Sequence, residues 1–325
     1  MISTDKTWKC LILVLTTAGA LQSQGPSFGL ASTSYAAPQT AAAASPGQVL
    51  VLSVYGVKTA IPQPILHGAL LGFFSESLPT QLGPVTVTFT QGTITVPVPL
   101  FGISQQQCPF LPAPCTVTSI TLQVPYEMNV TTAATQTPSF TIRESGALLG
   151  AIPITPVADT VHIVNSCDIT SLNTEIPGLG NFLNCTSAVT HSNGQFVTDS
   201  NPARPGEILV MYVYGLGVTN PAAHTGQRYF TTPLQNTKQT FTLSFDFRAN
   251  STPLRPLPTS STLATPLFAG LPPKAIGVYQ LNFAVPQTPA GAQFSLCDGT
   301  FITSNLTVTV LGATSFDGAQ ICISR

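Results

Sequence analysis

Strict alternation of apolar and polar side chains recurs along this chain and predicts β-strands. It is clearest over residues 85–90, where Val, Val and Phe alternate with Thr at every step. A period of two residues is typical of a strand with one buried face. Gln91-Gly92 then predicts a turn, and alternation resumes over residues 94–100, so the two segments form a hairpin. Two prolines in the second segment lack N–H donors, which places that strand at a sheet edge.

The same pattern predicts strands in both halves of the chain. They cover residues 49–55, 119–124, 140–143, 160–164, 241–247, 279–285 and 306–310. Residues 37–45 are rich in Ala and have no such pattern, so we expect a flexible leader there. No segment has the 3.6-residue period of a helix. Many short strands between proline-rich turns, without crossover helices, predict an all-β protein of antiparallel sandwiches.

An internal repeat relates the two halves. Three dipeptides recur in the same order, and the matching positions are Pro46-Gly47 with Pro205-Gly206, Tyr55-Gly56 with Tyr214-Gly215, and Val124-Pro125 with Val285-Pro286. The first two pairs are 159 positions apart and the third is 161 apart. We therefore predict two copies of one domain, with a signal peptide and leader over residues 1–36, repeat 1 over 44–165, a junction over 166–202 and repeat 2 over 203–325.

Composition narrows the classes of function. Charged residues make up 7% of the 325 residues, hydrophobic residues 43%, and the net charge is −1. Lys and Arg never cluster, which argues against nucleic-acid binding because that function requires a basic surface. After the N-terminus, no apolar run approaches the roughly 20 residues of a membrane-spanning helix. The surface must therefore be covered mainly by Ser, Thr, Asn and Gln.

The N-terminus predicts export. Lys6 and Lys9 precede a short apolar run that ends at Leu21, as in a secretory signal peptide. Cleavage after Ala20 and cleavage after Ala36 both fit the small residues that follow. The alternative is an uncleaved signal that anchors the chain, which would be its one contact with a membrane. Either way we expect an extracytoplasmic protein, secreted or held at the cell surface.

The cysteines are consistent with an oxidising compartment. Without Cys10, six of the seven cysteines remain in the exported chain. Sequence alone allows fifteen pairings, but short loops close most easily, so we predict the pairs Cys108–Cys115, Cys167–Cys185 and Cys297–Cys322. The second pair would staple the junction. There is no CxxC pair and no His at ligand spacing from a cysteine, which argues against zinc.

Several of these segments resemble a known family. They comprise Thr190-His191-Ser192-Asn193-Gly194 and the following residues to Gly217, residues 277–286, and a weaker first copy over residues 46–126. Here the chain resembles the uncharacterised C-terminal domain family of secreted proteins from Solibacter-type acidobacteria. The resemblance implies tandem immunoglobulin-like sandwiches and no catalytic residues. In the family this domain commonly follows repeats or enzymes, whereas the cysteines at the junction and C-terminus are departures from its pattern.

The chain contains no recognisable catalytic or cofactor motif. It lacks a Gly-x-Ser-x-Gly elbow, a phosphate-binding loop, an HExxH helix and a paired-carboxylate pattern. We therefore expect neither catalytic residues nor a cofactor or metal. His191 lies in an Asn-Gly turn, where a structural role is the simpler interpretation and ligand contact the alternative.

Three functions stay open at this stage. The first is a non-catalytic module for adhesion, scaffolding or contacts with a surface protein, as the export signal and tandem sandwiches suggest. The second is a carbohydrate-binding module for a polysaccharide, with Tyr229 and Phe230 as candidate contacts. Tyr212 and Tyr214 could join them, although their strand position favours the core. The third and remotest is a hydrolase whose site is built from loops.

Overall fold

The computed structural model describes residues 28–34, 42–67, 77–108, 115–131, 135–165, 168, 186–228, 233–247, 261–290, 305–310, 313–314 and 318–324. The elements are β-strands, so the protein is all-β, as the alternating pattern predicted. We call the part before Ala158 the N-terminal half and the part from Ala158 onward the C-terminal half.

The strands of the N-terminal half are β1 (Gly29–Ser34), β2 (Ala42–Ala44), β3 (Val49–Tyr55), β4 (Ile65–Leu66), β5 (Gln81–Leu82), β6 (Val85–Gln91), β7 (Ile94–Pro97), β8 (Leu100–Gln107), β9 (Thr116–Gln123), β10 (Ser139–Glu144) and β11 (Ala147–Pro156). Those of the C-terminal half are β12 (His162–Ile163), β13 (Val189–His191), β14 (Ile208–Tyr214), β15 (Thr219–Asn220), β16 (Gln235–Thr237), β17 (Phe241–Asp246), β18 (Ser261–Ala264), β19 (Phe268–Leu271), β20 (Tyr279–Ala284), β21 (Leu306–Val310) and β22 (Ala313–Thr314).

The strands form four sheets, two in each half. The first has the order β1-β3-β9-β8-β4, and the second has the order β2-β11-β10-β6-β5, with β7 also paired to β6. The third has the order β12-β14-β20-β19-β16-β15, with β13 also paired to β14, and the fourth is β18-β17-β21-β22. Among the described strands, every pair is antiparallel except β2 with β11. The predicted hairpin is β6 with β7, and β7 pairs with β6 alone among the described strands.

Each half has its own apolar core. In the N-terminal half, buried side chains from the first and second sheets form one cluster, which includes Leu50, Leu122, Phe89 and Phe140. In the C-terminal half, side chains from the third and fourth sheets form another, which includes Leu209, Met211, Phe245 and Phe283. Both cores use alternate residues of their strands, because neighbouring side chains of a strand point to opposite faces.

The matched dipeptides make the same hydrogen bonds in both halves. Gly47 N–H donates to Val124 O at 2.9 Å, and Gly206 N–H donates to Val285 O at 2.8 Å. Both glycines have positive φ, +77° and +84°, a backbone conformation that glycine adopts without steric cost. In each half the bond ties the turn before the first central strand to the end of its neighbour, β3 to β9 and β14 to β20. The Pro-Gly and Val-Pro dipeptides that recur in the sequence thus make matching turns and hydrogen bonds in the two halves.

The N-terminal segment is more ordered than the sequence suggested. The flexible leader predicted over residues 37–45 is wrong for Ala42–Ala44, which form β2 and are buried against β11. Alanine has low strand propensity, but its small side chain fits where two backbones pair deep in a core. Earlier still, β1 pairs with β3, and Phe28 packs against the N-terminal core.

The predicted junction is held at both of its ends. β12 and β13 pair with consecutive parts of β14, so they lie in line along one edge of the third sheet. Between them, Asn165 and Ser187 are bridged, and Ala188 N–H donates to Val164 O at 2.7 Å. The described ends therefore close the segment on itself at the sheet edge, and the third sheet begins at residue 162, within the span predicted for repeat 1.

At Gly215 the backbone lies close to the segment by which the chain enters the C-terminal half. Its φ is +76°, and a Cβ atom there would lie 2.1 Å from Thr160 O. Gly194 has a similar φ of +84°, with no atom within 4 Å of such a Cβ. We expect Gly194→Ala to cost about 1 kcal/mol from backbone strain alone, and Gly215→Ala to cost about 3 kcal/mol because a clash adds to it. Urea unfolding of both variants measures the difference, and equal losses would contradict the close approach.

Candidate functional site

The outward side of the third sheet is divided between a covered end and an open end. Core-facing residues of β14 are Leu209, Met211 and Val213, so the alternate residues point away from the core. At the covered end, Tyr214 is fully buried in a cluster with Ile276 and Val278 of its own half and with Val49, Leu78 and Phe101 of the N-terminal half. This cluster joins the two halves.

Polar contacts reinforce the junction of the halves. Gly226 N–H donates to Gln123 Oε1 at 2.7 Å, and Tyr126 N–H donates to Thr225 Oγ1 at 2.9 Å. The hydroxyls of Tyr126 and Tyr279 lie 3.1 Å apart, and Tyr279 Oη–H also donates to Gly217 O. Burial away from solvent raises the pKa of Tyr279 well above its ordinary value. Its contact with Tyr126 acts in the same direction, so the phenol stays neutral.

The open end carries a row of side chains that crosses five backbone segments. Direct pairing places Phe196 beside Thr190, Thr190 beside Val210, Val210 beside Asn282, and Asn282 beside Phe268. Directly paired antiparallel residues project to the same face, so this row points outward with Val210. Four strand spacings of about 4.8 Å make the row about 19 Å long.

A second row lies one step along the strands. Tyr212 pairs with Gln280, Gln280 with Gly270, and Gly270 with Asn236. A Cβ atom on Gly270 would lie 2.9 Å from Cζ of Phe268, so the phenyl ring extends over the glycine. We use the name open face for the outward side chains of these two rows other than Thr190, which is buried, and Asn236, together with Ile208 at the margin. Its members are Phe196, Ile208, Val210, Tyr212, Phe268, Gln280 and Asn282, none of which is charged.

Sequence reasoning located these aromatic residues only in part. Tyr229 and Phe230 lie outside the described residues. Tyr212 and Tyr214 lie on one side of β14, as predicted; Tyr214 is buried, but in the cluster between the halves rather than in the C-terminal core, and Tyr212 lies at the margin of that cluster. β14 is apolar on both faces, so alternation could not indicate which face is inside. Phe196 and Phe268 gave no signal, because each stands in a short segment without a clear period.

His191 is held by a carboxylate and a backbone carbonyl. The Asn-Gly turn forms as predicted: Gly194 N–H donates to His191 O at 2.9 Å, with a Gly194 φ of +84°. The side chain lies inside, with Nδ1 2.5 Å from Glu207 Oε1 and Nε2 3.1 Å from Asn201 O. Both ring nitrogens are therefore engaged, which leaves none to activate a nucleophile.

The electrostatics of this pair favour a charged imidazolium. The hydrogen bond to Glu207 raises the pKa of His191 above 6.5, partial burial opposes this, and the bond to Asn201 O adds to it. Burial of Glu207 raises the pKa of its carboxyl, but hydrogen bonds from His191 and from Arg204 N–H outweigh burial and lower it. The pair connects β13 to the turn that precedes β14, so its role is structural.

A second histidine–carboxylate pair closes the predicted junction. His162 Nε2 lies 2.8 Å from Asp168 Oδ2, which also accepts the N–H of Asn165 at 2.8 Å. The imidazole stacks on Tyr214 with 5.7 Å between ring centroids. Burial and the nearby Asp168 charge raise the pKa of Tyr214 well above its ordinary value, so no tyrosinate forms there.

The predicted disulfides are confirmed in part. Cys108 and Cys115 are bonded, with 5.3 Å between their Cα atoms. Cys322 is also disulfide-bonded. Cys167, Cys185 and Cys297 lie outside the described residues, so the pairs Cys167–Cys185 and Cys297–Cys322 stay predictions. Among the described residues, no three His, Cys, Asp or Glu side chains are grouped as metal ligands would be. The described residues contain no helix that is long and apolar enough to span a bilayer.

The histidine pair predicts a pH-dependent stability. A raised His191 pKa contributes stability that is complete below 6.5 and is lost as pH rises through the folded-state pKa. A lowered Glu207 pKa contributes above 4.5 and is lost as pH falls through it. His191→Gln should therefore cost about 1–2 kcal/mol near pH 5.5 and clearly less near pH 9. The check is Tm against pH, with exposed His224→Gln as control; a pH-independent loss would contradict the ion pair.

Comparison with known proteins identifies no relative. No protein-family model, no curated protein and no solved structure matches this chain. Any assignment of function must therefore be argued from the geometry of the described residues, above all from the open face and the cluster that joins the halves.

Proposed function

We propose that this chain is an exported, non-catalytic module of two tandem immunoglobulin-like sandwiches that mediates adhesion, scaffolding or contacts with a surface protein. The order of strands supports the fold. An immunoglobulin constant-type sandwich has strands A, B, E and D in one sheet and C, F and G in the other. In the N-terminal half, β1-β3-β9-β8 follows the first order and β6, β10 and β11 follow the second.

The C-terminal half supports the same assignment. β14, β20 and β19 neighbour one another as B, E and D do, and β17, β21 and β22 as C, F and G do. The parallel contact of β2 with β11 recurs as a bridge between Ala203 and Ile323, 159 positions after Ala44 on the first side. This agreement favours the tandem domains and is compatible with the proposed kinship to the acidobacterial C-terminal domain family.

The open face is the observation that carries the proposed function. Contact surfaces between proteins are enriched in aromatic side chains and depleted of charge at their centres. The open face has two phenylalanines and a half-buried tyrosine around Val210, with amides between them. It stands on a sheet held rigidly by the core beneath and by the cluster at the junction of the halves. Such a surface binds without needing catalytic groups.

Carbohydrate binding is the second candidate, favoured by one arrangement. The Phe268 ring lies over Gly270, and Gln280 Nε2–H donates to Asn282 Oδ1 at 2.7 Å beside it. An aromatic ring flanked by amides can stack on one sugar ring and bond its hydroxyls. Only the Phe268 ring, however, has this flanking pair of amides, which is less than a polysaccharide chain would use along several sugars.

If the chain is exported, the contacts of its N-terminal segment predict where the mature chain begins. Phe28 packs on Gly150, where a Cβ atom would lie 2.2 Å from Cδ1 of the phenyl ring, and β1 pairs with β3. Cleavage after Ala36 would remove these contacts, whereas cleavage after Ala20 keeps them. We therefore expect mass spectrometry of the exported protein to find an N-terminus before residue 28. A chain that starts at residue 37, or one that stays in the cytoplasm with its signal intact, would contradict this.

Binding to intact cells tests the contact function. We expect purified protein to bind saturably to cells of the producing strain, and protease treatment of the cells to abolish binding. Periodate oxidation of cell-surface sugars should leave it unchanged. Phe268→Ala should weaken binding about tenfold, since loss of an interface aromatic typically costs 1 kcal/mol or more. Leu148→Ala, at an exposed leucine of the N-terminal half, is the control. Loss of binding on oxidation would instead assign the open face to carbohydrate, and no saturable binding would refute both.

A further inference from the structure

We infer that the open face docks a second copy of this chain, open face to open face, as a two-fold symmetric dimer. The inference rests on the proposed contact function and names its partner. It follows from a comparison of the two halves, because in the N-terminal half the corresponding surface is covered by another domain of the same kind.

The comparison is fixed by the backbone frame that both halves share. Gly47 and Gly206 make the same hydrogen bond at an offset of 159 residues, to Val124 and Val285. Val49, the first residue of β3, therefore corresponds to Ile208, the first residue of β14. Both point away from the core of their own half, since Leu50 and Leu209 belong to the cores.

The two corresponding side chains have different surroundings. Val49 is 0% exposed, because it packs in the cluster with Tyr214, Ile276 and Val278 of the other half. Ile208 is 48% exposed. The N-terminal half thus uses this position to bind a like domain, and the C-terminal half has a larger apolar side chain there with nothing in the described part of the protein to cover it.

The chemistry of the open face suits a second copy of itself. In a two-fold interface each group near the axis meets its own symmetry mate, so any charge there would face a like charge. The open face has no charged member, and its amides can both donate and accept hydrogen bonds. Phe196 is 41% exposed at one end of the first row, and Phe268 stands at the other. An aromatic group at each end allows reciprocal packing across the axis.

A head-to-tail chain of copies is disfavoured because the surface of the N-terminal half that would have to bind the next copy is already covered. Within the molecule, Val49 packs against Tyr214 and Val278 of the C-terminal half. The residues at the corresponding positions of the N-terminal half are Tyr55 and Val117. Those counterparts pack with the Cys108–Cys115 disulfide, and Val117 and both cysteines are buried. With that surface capped, the open face pairs with another open face, and a two-fold contact of this kind closes after two copies.

Sedimentation velocity across a concentration series tests the dimer in the full-length exported protein. We expect a monomer–dimer equilibrium. Ile208→Lys should weaken the dimer by about tenfold or more in Kd, because each copy would then bury an unpaired charge in an apolar contact. Leu148→Lys makes the same change at a leucine that is 60% exposed on the other half and should leave Kd unaltered. Unchanged far-ultraviolet circular dichroism and Tm verify that each variant folds.

A second variant distinguishes this specific contact from non-specific association. Asn282→Asp keeps the side-chain shape and still accepts the hydrogen bond from Gln280, but it adds one negative charge near the axis. The dimer should weaken at low salt and recover at high salt, since salt screens like charges. A wild-type monomer at every concentration, equal effects of Ile208→Lys and Leu148→Lys, or open-ended polymers would each overturn the proposal. A monomer that still binds protease-sensitive sites on cells would overturn it while leaving the proposed function standing.

Discussion

Burial of both faces of a sheet is the constraint on which this structure depends. The third sheet covers its own core with one face and receives the N-terminal half on the other, at Tyr214. That contact requires close backbone approach: a Cβ atom on Gly277 would lie 2.9 Å from Cγ2 of Val49, and one on Gly226 would lie 2.9 Å from Cγ of Pro99. Glycine at these positions lets the halves meet without displacing either core. The two sandwiches we propose therefore pack directly against each other through a shared buried cluster.

The low charge of the chain follows from this arrangement. Polar residues on the outward side of the first sheet are buried and must be satisfied without ions, since an unpaired buried charge is far more costly than a neutral group. Ser53 and Ser119 lie with their hydroxyl oxygens 3.1 Å apart, and Gln123 accepts Gly226 N–H. Buried carboxylates are held by polar partners: Asp168 contacts His162, and Glu144 accepts the N–H groups of Lys58 and Thr59. Neutral polar side chains thus serve both the surface and the contacts within the molecule.

Prediction succeeded where the determining interactions are local in sequence. Alternation located β6, β17 and β20, because one buried face imposes a period of two. The paired Pro-Gly turns were found because positive φ restricts the residue to glycine. The turn at His191 was predicted from Asn-Gly, but the contact of its side chain with Glu207 was not, since that carboxylate is sixteen residues away. β2 was missed for the same reason, as only pairing with distant β11 makes three alanines a strand.

The sequence by itself determined the all-β class, the principal turns and the Cys108–Cys115 disulfide, all of which depend on neighbouring residues or on short loops. Only the tertiary structure decided which part of the second face of β14 is buried and which part is exposed. Its seven residues Ile208–Tyr214 are apolar on both sides, so no periodicity separates a face that is buried twice from one that is exposed. Burial there depends on which surface approaches from more than a hundred residues away. The difference between buried Val49 and exposed Ile208 is therefore a property of the assembled molecule, and it places the open face at one end of the third sheet.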